Sequence, residues 1–205
     1  MEKVIVNHWM NIIIKYGKYD NDNLEIIRYG LTGLYLTLSK IFIILIISLL
    51  IGNTKDVILF MIIFNIIRTP SFGIHATKSW ICLLTSSIIF LGFPLICNFL
   101  NINLITKIIV GSILTLLIFK NSPADTKKRP IVSPKRRKFF KIISTIIAVT
   151  FVLGSIFIKN NYLSNCFIGA LIVQNILISP ITYKIFKQPY NNYKTFLKTH
   201  PEFLK

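Results

Sequence analysis

Residues 31–51 read LTGLYLTLSKIFIILIISLLI, a run of 21 residues in which Lys40 is the one charged side chain. A helix crosses a hydrocarbon core of about 30 Å with about 20 residues. This stretch therefore reads as a membrane span, and the same test extends along the chain. Asn53–Thr69 is shorter and has Lys55, Asp56 and Arg68 near its ends, where long side chains can reach the interface. Trp80–Leu100, Leu104–Phe119, Phe139–Ile158 and Tyr162–Phe186 complete about six candidate spans. Pro70 biases Thr69 away from helical geometry and is expected to end the second span. Pro94 and Pro180 are expected to kink the third and the sixth.

Composition agrees. Mean hydropathy is +0.64, and 53% of the 205 residues are hydrophobic against 15% charged, too apolar for a soluble domain of this size. The fold class expected is all-α: a polytopic membrane helical bundle forming one domain over residues 1–205. Within it, residues 1–23 form an amphipathic N-terminal segment, 31–186 the spans and 187–205 a basic tail. Val4, Ile5, Trp9, Ile12, Ile13 and Tyr16 recur at helical intervals among polar residues. That pattern suits a helix lying in the interface, or equally one packed on the bundle. Residues 1–23 show no small-residue cleavage site, so a secretory signal is not expected there.

The net charge of +17 comes from 24 basic and 7 acidic residues. In a soluble protein this excess would point to nucleic acid, but here the charges crowd between apolar runs, so no nucleic-acid partner is expected. With both termini inside, the inner segments hold four basic residues before Leu31, then Arg68 and Lys78, nine from Lys120 to Lys141, and five from Lys184 onward. The outer gaps hold only Lys55, Lys107 and Lys159. An excess of Lys and Arg on one side orients the chain, and the excess predicts cytoplasmic termini in a bacterial cell membrane.

Cys82, Cys97 and Cys166 are scattered without paired spacing, so neither a disulfide framework nor a metal site is expected, and no cofactor. Cys97 and Cys166 fall within spans and read as small buried hydrophobes. His75 and Cys82 stand seven residues apart beside the end of the second span. An imidazole can take the proton of a cysteine nucleophile and return it to a leaving amine. On one straight helix, residues seven apart are separated by about 10.5 Å along the axis, too far for contact. The pair therefore needs a bent approach, for which Pro70 and Gly73 supply the backbone. Lys40 is the one intramembrane cation, a feature that calls for a partner or a function. Ser39 beside it does not make a serine–lysine dyad, because adjacent helix residues do not face each other. No His-Glu-x-x-His, Gly-x-Ser-x-Gly or aspartate pair occurs in the spans.

The run Arg68-Thr69-Pro70-Ser71-Phe72-Gly73-Ile74-His75-Ala76, then Cys82, resembles the signature of the AgrB family of membrane peptidases that process quorum-sensing propeptides. Ser122-Pro123-Ala124-Asp125-Thr126-Lys127-Lys128-Arg129-Pro130-Ile131 is similar to that family's loop between later spans. One departure is Phe72, where many members have a first of two glycines. The resemblance implies Cys82 as nucleophile and His75 as general base, then acid. It implies an AgrD-like propeptide as substrate, cut through a thioester acyl-enzyme and closed to a thiolactone or lactone, and a homodimer in the lipid bilayer. Arg68, Gly73, Lys40, Asp125, Lys127, Lys128 and Arg129 are the candidate supporting or substrate-binding residues: Arg68 for a carboxylate or oxyanion, Asp125 to orient His75, and the basic loop for the substrate's acidic tail. The rival reading is a small membrane transporter or peptide exporter without covalent chemistry. The charge pattern makes a direct prediction: a reporter active only in the cytoplasm, fused after Lys205 or inserted in the 127–138 loop, is expected to be active. The same reporter placed at Lys159 is expected to be silent.

Overall fold

The computed structural model describes residues 2–17, 19–74, 79–126 and 130–200. Ten α-helices follow one another, with no strand among the described residues: α1 (Glu2–Tyr16), α2 (Asn21–Ile51), α3 (Thr54–Ser71), α4 (Ser79–Ser87), α5 (Phe93–Phe99), α6 (Leu104–Asn121), α7 (Pro134–Phe157), α8 (Asn161–Ile178), α9 (Pro180–Ile185) and α10 (Asn192–Thr199). A π-helical stretch, Ile88–Gly92, joins α4 to α5 into one rod. Five helical rods are long and apolar enough to span a membrane: Asn21–Ile51, Ser79–Phe99, Leu104–Asn121, Pro134–Phe157 and Asn161–Ile178. The protein is a multi-pass membrane helical bundle. The expected second span is present as α3, but its 18 residues include Lys55, Asp56 and Arg68, so it lacks the long stretch nearly free of charge that the other five contain.

Local sequence explains where the helices start and stop. Asp20 caps α2, Asn103 caps α6, Ser133 caps α7 and Asn160 caps α8, each side chain accepting a backbone N–H of the first turn. Gly52 closes α2 in the left-handed conformation at φ 78°. Pro70 does not end α3 as expected: the helix runs one residue further, to Ser71, and Phe72 N still donates to the Arg68 carbonyl. A proline removes only its own donor, so the last turn survives. Pro94 sits at the start of α5 directly after the π stretch, where the ladder widens around the missing N–H. Pro180 has the larger effect. It forces Ser179 into an extended conformation (φ −65°, ψ 133°) and divides the expected sixth span into α8 and α9.

Burial is uneven. Of the α8 window, 61% is buried, against 11–28% for the other four spans, so α8 is the central helix. It packs against α3, α5, α6 and α7. Phe60, Phe64 and Ile67 of α3, Ala148 and Phe151 of α7 and Ala170, Leu171 and Val173 of α8 form the core. Phe42, Leu50, Ile105, Leu116, Ile146 and Phe157 point outward, a distribution suited to lipid rather than water. α1 takes the packed form of its two readings. It turns Val6 and Met10 inward and packs on α2, while Val4, Ile12 and Tyr16 are exposed on the opposite side.

α8 carries buried polar side chains, and each finds a carbonyl or hydroxyl. Asn165 Nδ2 donates to the carbonyls of Cys97 (3.0 Å) and Leu100 (2.7 Å) at the end of α5. Asn175 Nδ2 donates to the Leu114 carbonyl of α6 at 3.1 Å. Lys107 Nζ donates to Ser164 Oγ at 2.7 Å, and Ser164 donates onward to the Ser155 carbonyl of α7. These bonds knit α5, α6 and α7 to α8 where no water is available to satisfy them. Gly169 marks a close approach of α8 to α3 and α5: a Cβ there would stand 3.3 Å from Cys97 Sγ and 3.5 Å from the rings of Phe60 and Phe93. Gly169→Leu is expected to overpack this junction by about 1–3 kcal/mol. The measurement is a lowered thermal midpoint in detergent, with Leu substituted at exposed Ile176 as the unaffected control.

Candidate functional site

The ends of α3, α6 and α8 and the starts of α4 and α7 lie at one end of the bundle, and the two loops singled out in the sequence meet there. Gly73 N donates to the Ala124 carbonyl at 2.8 Å, and Ala124 N donates to the Ser71 carbonyl at 3.0 Å. This makes a single parallel bridge between Phe72 and Ala124. Ile74 N donates to the Leu177 carbonyl at 3.0 Å. In an unbroken helix that carbonyl would accept from Ile181, whose N–H instead goes to Ser179 Oγ at 3.2 Å. The break at Pro180 thus exposes the acceptor on which the 72–74 turn docks.

Two side chains complete the clamp. Arg68 donates through Nη1 to the Phe72 carbonyl and through Nη2 to the Ile74 carbonyl at 2.8 Å. Gln174 Nε2, buried on α8, also donates to the Phe72 carbonyl at 2.8 Å. Arg68 therefore holds the turn from within its own helix.

Gly73 is required twice over. Its φ is +122°, and a Cβ would meet the Arg68 guanidinium and stand 2.9 Å from the Leu177 carbonyl oxygen. Phe72 has φ 57°, also in the left-handed range where glycine is at home, so the departure from the family pattern falls on a strained position. Its ring packs edge-on against Phe140 at 5.0 Å, a contact that no glycine could make.

Cys82 stands on the first turn of α4, partly exposed, and the other thiols do not: Cys97 is 2% exposed and Cys166 0%. Lys40 Nζ of α2 donates to Cys82 Sγ at 3.1 Å. Ser39 turns away and donates to the Tyr35 carbonyl, in keeping with the rejected dyad. Beside Lys40, an apolar groove of about 650 Å³ runs between α2 and α3 from Ile41 to Thr69. His75, with Lys127, Lys128 and Arg129, lies outside the described residues.

Asp125 is buried, and its polar atoms all serve the backbone or its neighbours. Oδ1 accepts from Asn192 N at 3.0 Å and Oδ2 from Tyr193 N at 2.8 Å. It thereby caps α10, whose own N-cap residue, Asn191, makes no side-chain cap. Arg137 pairs with Oδ2 at 3.5 Å while stacking 3.5 Å over the Tyr193 ring. The Asp125 carbonyl accepts from Tyr183 Oη at 3.0 Å. Sequence reasoning placed Asp125 in the right loop but had no signal for a partner 67 residues away. Next to it, a cleft of about 320 Å³ is lined by Lys120, Arg137, Lys138, Lys141, Tyr190 and Tyr193. Burial pushes the Tyr190 phenol up, against the opposing pull of Arg137. Among the described residues no cluster of His, Cys, Asp and Glu could hold a metal.

A test of the clamp follows. Gly73→Ala is expected to cost about 1–3 kcal/mol in backbone strain. It is also expected to raise the rate at which a bulky maleimide labels Cys82, read by mass spectrometry of the labelled peptide.

Comparison with known proteins gives one consistent answer. The family model described as Accessory gene regulator B matches residues 6–178. An AgrB-like protein of Clostridium acetobutylicum is 26% identical over 90% of this chain and 88% of its own length. An AgrB-like protein of Listeria welshimeri is 32% identical over 87% of this chain and 88% of its own. The protein FsrB of Enterococcus faecalis is 28% identical over 78% of this chain and 66% of its own. No solved structure matches. With the family model covering both joined loops and every spanning helix, the chain belongs to the AgrB, or Accessory gene regulator B, family.

Proposed function

We propose that this protein is a membrane cysteine endopeptidase that matures a quorum-sensing propeptide, with Cys82 as nucleophile and His75 as general base and acid. The observation that carries the reading is the contrast among the three thiols. Cys82 alone is reachable, and it stands on the first turn of α4 just beyond a clamped, strained turn, while Cys97 and Cys166 are sealed in the core. Membership of the AgrB family supports the same assignment.

In this reading the Cys82 thiol gives its proton to His75, and the thiolate adds to the carbonyl carbon at the end of the pheromone segment. The carbon–nitrogen bond breaks, the imidazolium gives its proton to the departing amine, and a thioester to Cys82 remains. A thiol or hydroxyl within the bound segment then attacks that thioester. Its proton returns by way of His75 to the Cys82 sulfur as the ring closes to a thiolactone or lactone. No water is consumed at either step, so an apolar setting that holds water off favours ring closure over hydrolysis. The apolar groove between α2 and α3 begins at Ile41, next in sequence to the Lys40 that meets Cys82, and its lining suits that need.

The substrate is an AgrD-like propeptide whose amphipathic leader lies at the bilayer surface and whose acidic tail meets the basic cytoplasmic loops. The enzyme works as a homodimer with its catalytic pair and both termini on the cytoplasmic side. Asp125 supports the site through the loop and tail it joins.

Co-expression with such a propeptide tests the assignment. Cys82→Ala and His75→Ala are each expected to abolish processing, by a factor of about 10³ or more. Wild type is expected to yield an acyl-enzyme whose mass shift hydroxylamine removes. Normal processing by Cys82→Ala would leave the transporter reading in its place.

A further inference from the structure

We propose that Lys40 is the counter-cation of the Cys82 thiolate, an inference that rests on the peptidase reading given above. Its ammonium lies within α2, followed by eleven uncharged residues, Ile41 to Ile51. An ammonium within a span is costly to insert and calls for a polar partner. The partner the structure supplies is Cys82 Sγ, at 3.1 Å across 42 residues of sequence. No carboxylate competes for it. The one ion pair among the described residues joins Arg137 to Asp125.

The charged surroundings of the sulfur are few. From α2 comes Lys40, and from α3 comes Arg68, which is near enough to interact electrostatically but whose guanidinium is directed at the carbonyls of Phe72 and Ile74. α4 and its continuation to Phe99 carry no Asp, Glu, Lys, Arg or His. His75 and Lys78 belong to the segment outside the described residues. Among the described residues Lys40 is thus the cation that meets the sulfur directly, and it does so from within α2.

The consequence for the chemistry is twofold. A fixed ammonium favours the thiolate over the thiol, so more of the enzyme is ready to attack. It also favours Cys82 as a leaving group when the substrate's own nucleophile displaces it, which helps ring closure. Lys40 only donates its N–H. The proton bookkeeping stays with His75.

The test uses the full chain in lipid nanodiscs, without propeptide. The rate of iodoacetamide alkylation at Cys82 is read by peptide mass spectrometry near neutral pH and again in strong alkali. The alkaline rate reports access to the sulfur, and the neutral-to-alkaline ratio reports the thiolate fraction. Lys40→Met and Lys40→Gln are each expected to lower that ratio by about tenfold, with Lys40→Arg restoring most of it. An unchanged ratio in both charge-free variants overturns the inference, as does a ratio in Lys40→Arg no better than in Lys40→Met. Cys82→Ala in the propeptide assay separates the two proposals. If that variant still processes propeptide, the peptidase reading fails whatever the alkylation ratio shows. If it is inactive while the ratio in the Lys40 variants matches wild type, the pairing with Lys40 fails and the nucleophile stands.

Discussion

The Leu177 carbonyl is the acceptor on which the functional end of the bundle depends. Pro180 cannot follow Ser179 in a helical ladder, so α8 stops and a backbone oxygen is left without its i+4 donor. Partly buried, such an oxygen is costly until a donor arrives. Ile74 N is that donor. The turn that delivers it must pass close to α8, which only a residue without a Cβ allows at position 73. One proline just beyond α8 therefore dictates a glycine about a hundred residues earlier.

The same economy governs the whole of α8. A span surrounded by other helices can carry Ser164, Asn165, Gln174 and Asn175 because each reaches a neighbour's carbonyl or hydroxyl. Apart from the Leu114 carbonyl in the middle of α6, those acceptors lie where other helices end: the close of α5, the Phe72 turn, the last turn of α7. Polar side chains on the central helix thus serve as ties for the irregular points of the outer ones. Asp125 does the same outside the spans, where its two oxygens begin α10 and hold Arg137. The loop carrying Ala124 is fixed between the Phe72 turn on one side and the C-terminal helices on the other, so each constrains the other.

Much of this could be read in the chain beforehand. The spans at residues 80–100, 104–119 and 139–158 appear as helical rods within a few residues of their apolar limits, because hydropathy over such a length is a strong local signal. α2 begins ten residues earlier than its apolar stretch, since Asp20 caps a polar first turn that composition does not reveal. α3 begins within a residue of its expected start and runs past Thr69 to Ser71, and its buried face marks it as an inner helix, which its charges had obscured. The effect of Pro70 was overestimated, because a proline's backbone restriction acts on the residue before it while tertiary packing can still carry the last turn.

By itself, then, the sequence determined the all-helical membrane character, the approximate span limits, the asymmetry of basic charge, and the two loops whose residues depart from apolar monotony. These follow from local properties: hydrophobic length, proline sterics and side-chain type. Only the tertiary structure decided that the two loops pair through Gly73 and Ala124, that Leu177 anchors the turn, that Asp125 caps a helix 67 residues further on, and that Lys40 meets Cys82. Those contacts join positions far apart in the chain. Their partners are chosen by how helices pack side by side, and no periodicity within one helix records which neighbour it will meet.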